Sequence, residues 1–197
     1  MTALSSFIPI VDTVPLPLRR FTADEFIAMA QSGAFDERHR VELIEGLVVD
    51  MSPSGSPHNH LLMNLTEVFA PIIQQFRLAV QATLRVNDSQ VYDPDFMLLR
   101  RKANGYRDAL PVPDNVELLI EVAESSWDRD SKVKLPVYAT AGIADYWIVD
   151  IARELLIVHR SPEGNRYSDF RELRPGDIIV PLALPDFTLD VSRVFAS

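Results

Sequence analysis

The run Val116-Glu117-Leu118-Leu119-Ile120-Glu121-Val122-Ala123 constrains this chain most. Apolar residues fill consecutive positions instead of alternating with polar ones. A half-buried strand alternates, whereas a strand covered on both faces reads as a nearly continuous apolar run. The run therefore predicts an inner strand with helices packed above and below it. Its exception is Glu121, flanked by Ile120 and Val122. An ionised carboxylate is costly in such surroundings unless it is paired or bound to a cation.

The rest of the chain supplies elements to cover such a strand. Residues 1–20 are proline-rich and without period, and are expected to form an extended N-terminal arm. A single domain then spans 21–197. Thr22 and Glu25 have the spacing of a capping box, with Phe21 and Phe26 placed as a hydrophobic staple and Gly33 closing the helix. Val41 to Ser52 reads as a hairpin turning at Glu45-Gly46. From about Pro57 to Phe76, Leu61, Leu62, Leu65, Val68, Phe69, Ile72 and Ile73 recur on one helical face, with a kink expected at Pro71. Strands are expected over Ala79–Val86 and Asp95–Arg100, then the Val116–Ala123 run. A helix over about Ser131–Ala141 leads to a hairpin of Tyr146–Val149 and Leu155–Arg160. Short strands close the chain, separated by the turn sequences PEGN and RPGD. Helices interspersed with strands in this order indicate an α/β fold, a mixed sheet flanked by helices.

Composition excludes several classes. The 197 residues contain no cysteine, so thiolate metal sites, redox motifs and cysteine nucleophiles are ruled out. No apolar run reaches the ~18 residues of a membrane span, and the start of the chain lacks the pattern of a signal peptide. A cytoplasmic location is expected. The net charge of −9 runs against the basic footprint usual in nucleic-acid enzymes. The Arg100-Arg101-Lys102 run with Arg107 reads either as a local basic strip or as a solvated loop.

The chemistry-bearing residues lie around the central run. Asp95 follows Pro94 and opens the apolar run Phe96-Met97-Leu98-Leu99. Two acids on adjacent strands can converge on one hard cation, and Mg²⁺ suits one or two carboxylates with water and phosphate completing its shell. The competing readings are a salt bridge for Glu121 and a turn cap for Asp95. Downstream lie Lys132 and Lys134, each either a surface helix residue or the cation of the site. Lys134 is four residues before Tyr138 and so shares its helical face. Pro136 requires the helix to begin or bend nearby. His58 and His60, two apart, do not face one way and are read as helix-start residues at solvent or a cap. Trp127, Tyr146 and Trp147 are read as packing residues. Asp128 and Asp130 suit the start of a helix.

Pro94-Asp95, then Glu121-Val122-Ala123 26 positions on, resembles the PD-(D/E)XK nuclease superfamily, with Ala123 where the usual lysine stands. Seven segments in register resemble the Uma-type restriction endonuclease family: FTADEFIAM, VELIEGLVVDMSP, HNHLLMNL, YDPDFMLL, LLIEVAESS, KVKLPVYATAGIADYWIVD and PLALPDFTLDVSRVF. The resemblance runs from about Phe21 to Phe195. It implies a restriction endonuclease-like core, with the lysine supplied from the KLxxY segment as Lys134, and Lys132 in reserve. It also implies that Glu42, in the ELIxG segment, contributes to the site, against the plain reading of an exposed strand residue.

The expected activity is thus phosphodiester hydrolysis with Mg²⁺ or Mn²⁺ on Asp95 and Glu121, and with Lys134 positioning water. DNA is the substrate that the resemblance implies, and a homodimer would supply two sites for two strands. Two other classes fit the same residues. One is a nuclease-fold protein that binds nucleic acid or a protein partner without cutting. The other is a metal-dependent hydrolase of a small phosphate compound.

Overall fold

The computed structural model describes residues 19–35 and 40–197. The expected arm over residues 1–20 falls outside them except for its last two positions. Helix α1 (Ala23–Gln31) starts as its sequence signals. The Glu25 N–H donates to the Thr22 hydroxyl at 3.2 Å and the Thr22 N–H donates to the Glu25 carboxylate at 3.0 Å. Phe21 and Phe26 join one apolar cluster with Ala23, Leu43 and Val91.

Strands β1 (Val41–Ile44) and β2 (Leu47–Asp50) form the expected hairpin. Glu45 and Gly46 turn it with φ of 50° and 77°, both left-handed, as two-residue hairpin loops of this type require. Gly46 is needed for space as well. A Cβ there would lie 2.7 Å from the Arg20 Cβ and 3.0 Å from the Phe21 carbonyl.

Helix α2 (Ser56–Phe69) buries Leu61, Leu62, Leu65, Val68 and Phe69. Pro71 does not kink it. The helix stops, passes through one 3₁₀ turn at Ala70–Ile72, and the chain enters β3 (Phe76–Val80). The single strand expected over Ala79–Val86 is two. Gln81 adopts φ 47°, its N–H donates to the Asp95 carbonyl at 3.0 Å, and the chain leaves for β4 (Leu84–Asn87) in another sheet. A three-residue strand, β5 (Gln90–Tyr92), pairs with β4. It is too short to show a period.

Next come β6 (Phe96–Arg100), β7 (Val116–Ala123), the short helix α3 (Trp127–Arg129), a π-helical turn over Asp130–Lys134, and α4 (Leu135–Thr140). Strands β8 (Asp145–Asp150), β9 (Leu155–Glu163), β10 (Arg166–Leu173), β11 (Ile178–Ile179) and β12 (Leu189–Asp190) follow. The main sheet has the order β10-β9-β8-β7-β6-β3. Its β7–β8 pair is parallel and its other pairs are antiparallel. A smaller sheet has the order β2-β1-β5-β4. The parallel pair needs a crossover, which the α3–α4 segment provides.

β7 is covered on both faces, and Glu117 alone among its residues is not buried. Leu118, Ile120 and Val122 pack with α2 residues and Trp147, while Leu119 and Ala123 pack with Tyr138 and Ile143. Trp147 and Tyr146 are fully buried packing residues, as expected. Beside β7 a buried acid is paired. Asp145, on β8, receives the Arg160 Nε at 2.8 Å and Nη2 at 3.1 Å, the Trp147 Nε1 at 2.6 Å and the Leu182 N–H at 2.9 Å. No helix among the described residues is long and apolar enough to cross a membrane.

Removing one partner of a buried ion pair strands the other. Arg160→Met is expected to cost about 3–5 kcal/mol, read as a lowered urea midpoint. Arg171→Met, on the exposed edge of β10, should stay within about 0.5 kcal/mol of the parent.

Candidate functional site

The β6–β7 ladder ends at the Phe96–Ile120 pair, and beyond it side chains take over the bonding. The Val122 N–H donates to the Asp95 Oδ2 at 2.9 Å, and the Asp95 N–H donates to the Glu121 Oε2 at 3.3 Å. Each acid is thereby fixed by the other's strand.

Their outer oxygens face different partners. Asp95 Oδ1 lies 3.0 Å from the His58 Nε2 and 3.4 Å from the Gln81 Nε2. Glu121 Oε1 accepts from the Lys134 Nζ at 3.0 Å and the Tyr138 hydroxyl at 2.8 Å. Lys134 also donates to the Glu42 Oε1 at 3.0 Å and lies 3.9 Å from the Asp130 Oδ1. Glu42 Oε1 further accepts the Asp93 N–H at 2.9 Å, while its buried Oε2 has no partner.

The structure therefore brings Asp95, Glu121, Lys134 and Glu42 together. Glu42 is buried, not an exposed strand residue. Between the two candidate lysines, the turn geometry decides. Pro136 has no N–H to continue an α-helix, and the chain winds a π turn ahead of it. That turn buries Asp130 and Lys134 and leaves Lys132 outside, paired with Asp128 at 2.7 Å. Tyr138, one turn after Lys134, points the same way, as the four-residue spacing implies.

The expectation for His58 is corrected. It is 6 % exposed and bonded to Asp95 instead of facing solvent. α2 begins at Ser56, so His58 occupies the first turn, beside the open end of β6. His60 turns away to the Ala196 carbonyl at 2.7 Å, as the two-residue spacing predicts. Asp130 also belongs to the cluster: its carboxylate takes the Ser126 hydroxyl and lies near Lys134. Its four-residue spacing from Lys134 is the sequence signal for that support. The basic strip is not at the site. Arg100-Arg101-Lys102 lies at the other end of β6 from Asp95, roughly 17 Å away at ~3.4 Å per residue. Its members bond Glu117, the Ile73 carbonyl and Asn115.

Burial dominates the electrostatics. It pushes the Glu121 carboxyl up to about 8 despite the nearby Lys134, and it raises Asp130 in the same way. Burial opposes the charge on Lys134 as well, but Glu121, Glu42 and Asp130 outweigh it and hold the ammonium charged above the ordinary lysine range. For Asp95, burial is outweighed by the His58 hydrogen bond and charge, so its carboxyl sits below the usual range. His58 is correspondingly raised, burial being outweighed by Asp95.

A cavity of about 60 Å³ opens here, lined in part by Asp95, Glu121, Lys134, His58, Arg40 and Arg129. No three His, Asp or Glu side chains among the described residues already surround one point as a metal cage. The donors nonetheless fit a hard divalent cation. Asp95 and Glu121 are among the carboxylates that line the cavity, and water can fill further positions.

The Glu121 proton has a consequence for stability. The folded chain keeps it to about pH 8, and the unfolded chain releases it near 4.5. Stability from neutral Glu121 is therefore complete below about 4.5 and is lost as pH rises through about 8. Without divalent ions, the urea midpoint of the parent should fall between those pH values relative to Glu121→Gln, which carries no such proton. Parallel pH profiles would place the proton on another member of the cluster.

Comparison with known proteins agrees with this architecture. The family model Uma2, described as "Putative restriction endonuclease", matches residues 23–192. A crystal structure described as a putative nuclease belonging to DUF820, from Anabaena variabilis ATCC 29413, shares the fold with a TM-score of 0.71. It is 17% identical, and the alignment covers 91% of this chain and 98% of that one. Among the curated proteins none matches. With a described family model spanning most of its length and a nuclease-type fold around a buried acid-lysine cluster, the chain belongs to the Uma2 family of restriction endonuclease-like proteins.

Proposed function

We propose that this chain is a metal-dependent endonuclease that hydrolyses phosphodiester bonds of DNA. Asp95 and Glu121 would hold a Mg²⁺ or Mn²⁺ ion, joined by the Val122 carbonyl, with Lys134 and Glu42 completing the catalytic group. One observation carries the reading. Two carboxylates at a cavity are fixed by backbone N–H groups, Asp95 by that of Val122 and Glu121 by that of Asp95, and a buried ammonium bonds one of them. A structural salt bridge would need neither the second acid nor the cavity.

When bound, the ion would polarise the phosphate and make water a better nucleophile. The chain's own residues supply the rest. Lys134 is a fixed N–H donor that orients water beside Glu121 and offsets charge growing on phosphoryl oxygens. Glu42 anchors Lys134 and ties it, through the Asp93 N–H, to the segment that carries Asp95. Tyr138 donates to Glu121 and holds its rotamer. The proposed assembly is a cytoplasmic homodimer whose two sites serve two strands.

The test is cleavage of plasmid, linear and single-stranded DNA by the purified chain with Mg²⁺ or Mn²⁺, alongside calorimetric ion binding. Asp95→Asn and Glu121→Gln should each lower cleavage by about 10²–10³-fold and weaken ion binding. Undiminished cutting by both variants would sink the site. Lys134→Met should lose cleavage while Asp95 and Glu121 still bind the ion. It should also lose about 3–5 kcal/mol of stability, because three acids lose their cation.

A second reading rests on the net charge of −9. It favours a small phosphate compound over a polyanionic polymer. Turnover of a nucleotide without cleavage of any DNA form would select it.

A further inference from the structure

We propose that Arg40 and Arg129 form a two-arginine clamp for a backbone phosphate of the nucleic-acid strand, on the wall of the Asp95–Glu121 cavity. The inference rests on the nuclease reading and adds to it the residues that grip the substrate. Nothing in the acid-lysine cluster can do so alone. The cavity is lined by Asp93, Asp95, Glu121, Glu124 and Asp130, and a phosphodiester would meet a wall of its own sign. Its basic side chains, among the described residues, are Arg40, Arg129, Lys134 and His58, and His58 is taken by Asp95. Lys134 is already bonded to Glu42 and Glu121.

The two arginines are held differently. Arg129, on α3, has a buried Nε without a hydrogen-bond partner, and its Nη1 rests 2.9 Å from the Met51 thioether sulfur, a weak acceptor. A buried guanidinium N–H left so is unfavourable until an oxygen, from water or a ligand, reaches it. Arg40 immediately precedes β1. Its contacts to Asp93 among the described residues are long, 3.5 Å to the carbonyl and 3.9 Å to the carboxylate. A guanidinium presents a planar fork of donors that matches two oxygens of one phosphate. The two forks come from separate elements and share one cavity with the proposed metal ligands. The basic strip of Arg100, Arg101 and Lys102 cannot take this role, since it lies at the far end of β6 and each member is bonded there.

The test is binding of a fluorescently labelled DNA oligonucleotide, single- and double-stranded, by the full chain in EDTA over a range of salt. Cleavage by the same preparations is assayed separately with Mg²⁺. Arg40→Gln and Arg129→Gln should each weaken binding about tenfold, and each should reduce the slope of log K against log salt by about 0.7–0.9. Arg129→Lys should keep the slope but lose affinity, because it keeps the charge without the fork. Arg171→Gln, on β10, serves as the control and should match the parent. Unchanged thermal midpoints show that the variants fold.

If the parent cuts DNA and both glutamine variants bind like it, the clamp is wrong and the nuclease reading stands. If the parent binds DNA through both arginines but cuts nothing, the clamp stands and the nuclease reading fails. A parent that binds no oligonucleotide overturns the clamp, while the cleavage assay judges the nuclease reading by itself.

Discussion

The Lys134 ammonium, 3.0 Å from carboxylates of both Glu42 and Glu121, links most of what is unusual in this molecule. It joins the small sheet, through Glu42 on β1, to the main sheet, through Glu121 on β7, and both to the crossover segment that carries it. At an effective dielectric near 20, one such contact is worth roughly 4 kcal/mol at 4 Å. Desolvation of each ion costs several kcal/mol against it. Apolar residues of the same volume would hold these elements together at least as well. Stability alone therefore gives no reason to place an acid in the middle of β7, and the cluster is better understood as a chemical site that the fold tolerates.

The fold was legible wherever its signals are local. The two-sided burial of β7, the capping box at Thr22 and the hairpin turn at Glu45-Gly46 depend on residues adjacent in sequence, and all were readable there. The misreadings share a different cause. The strand expected over Ala79–Val86 breaks because Gln81 bonds the Asp95 carbonyl, a contact across the sheet that no window of sequence contains. Pro71 ends α2 instead of bending it because the chain must descend into β3 beside β6. β5 is three residues long and carries no period at all.

The site divides along the same line. Glu121 announced itself as a charge among apolar neighbours, and Asp95 as an acid at the head of an apolar run. Choosing Lys134 over Lys132 needed the π turn, whose extra residue rotates one lysine inward and the other outward. Glu42 was ambiguous because strand alternation sets it opposite Leu43. Both are buried, since β1 has the α1 cluster on one face and the acid-lysine cluster on the other. His58 was hidden because helical periodicity describes faces, whereas its role depends on where the first turn of α2 stops beside β6.

The acidity of the molecule, an objection at the level of net charge, takes a different form at the site. Glu42, Asp95, Glu121 and Asp130 oppose one ammonium in a space that excludes most water. Such an excess is costly to keep fully ionised: burial pushes the Glu121 carboxyl up, and His58 is set against Asp95. A divalent cation at the proposed site would relieve the same excess. The two arginines on the same cavity would supply the opposite charge that a phosphate needs. The balance is local, with a cation and a phosphate each drawn by a different set of residues. Net charge, summed over the whole surface, is blind to it.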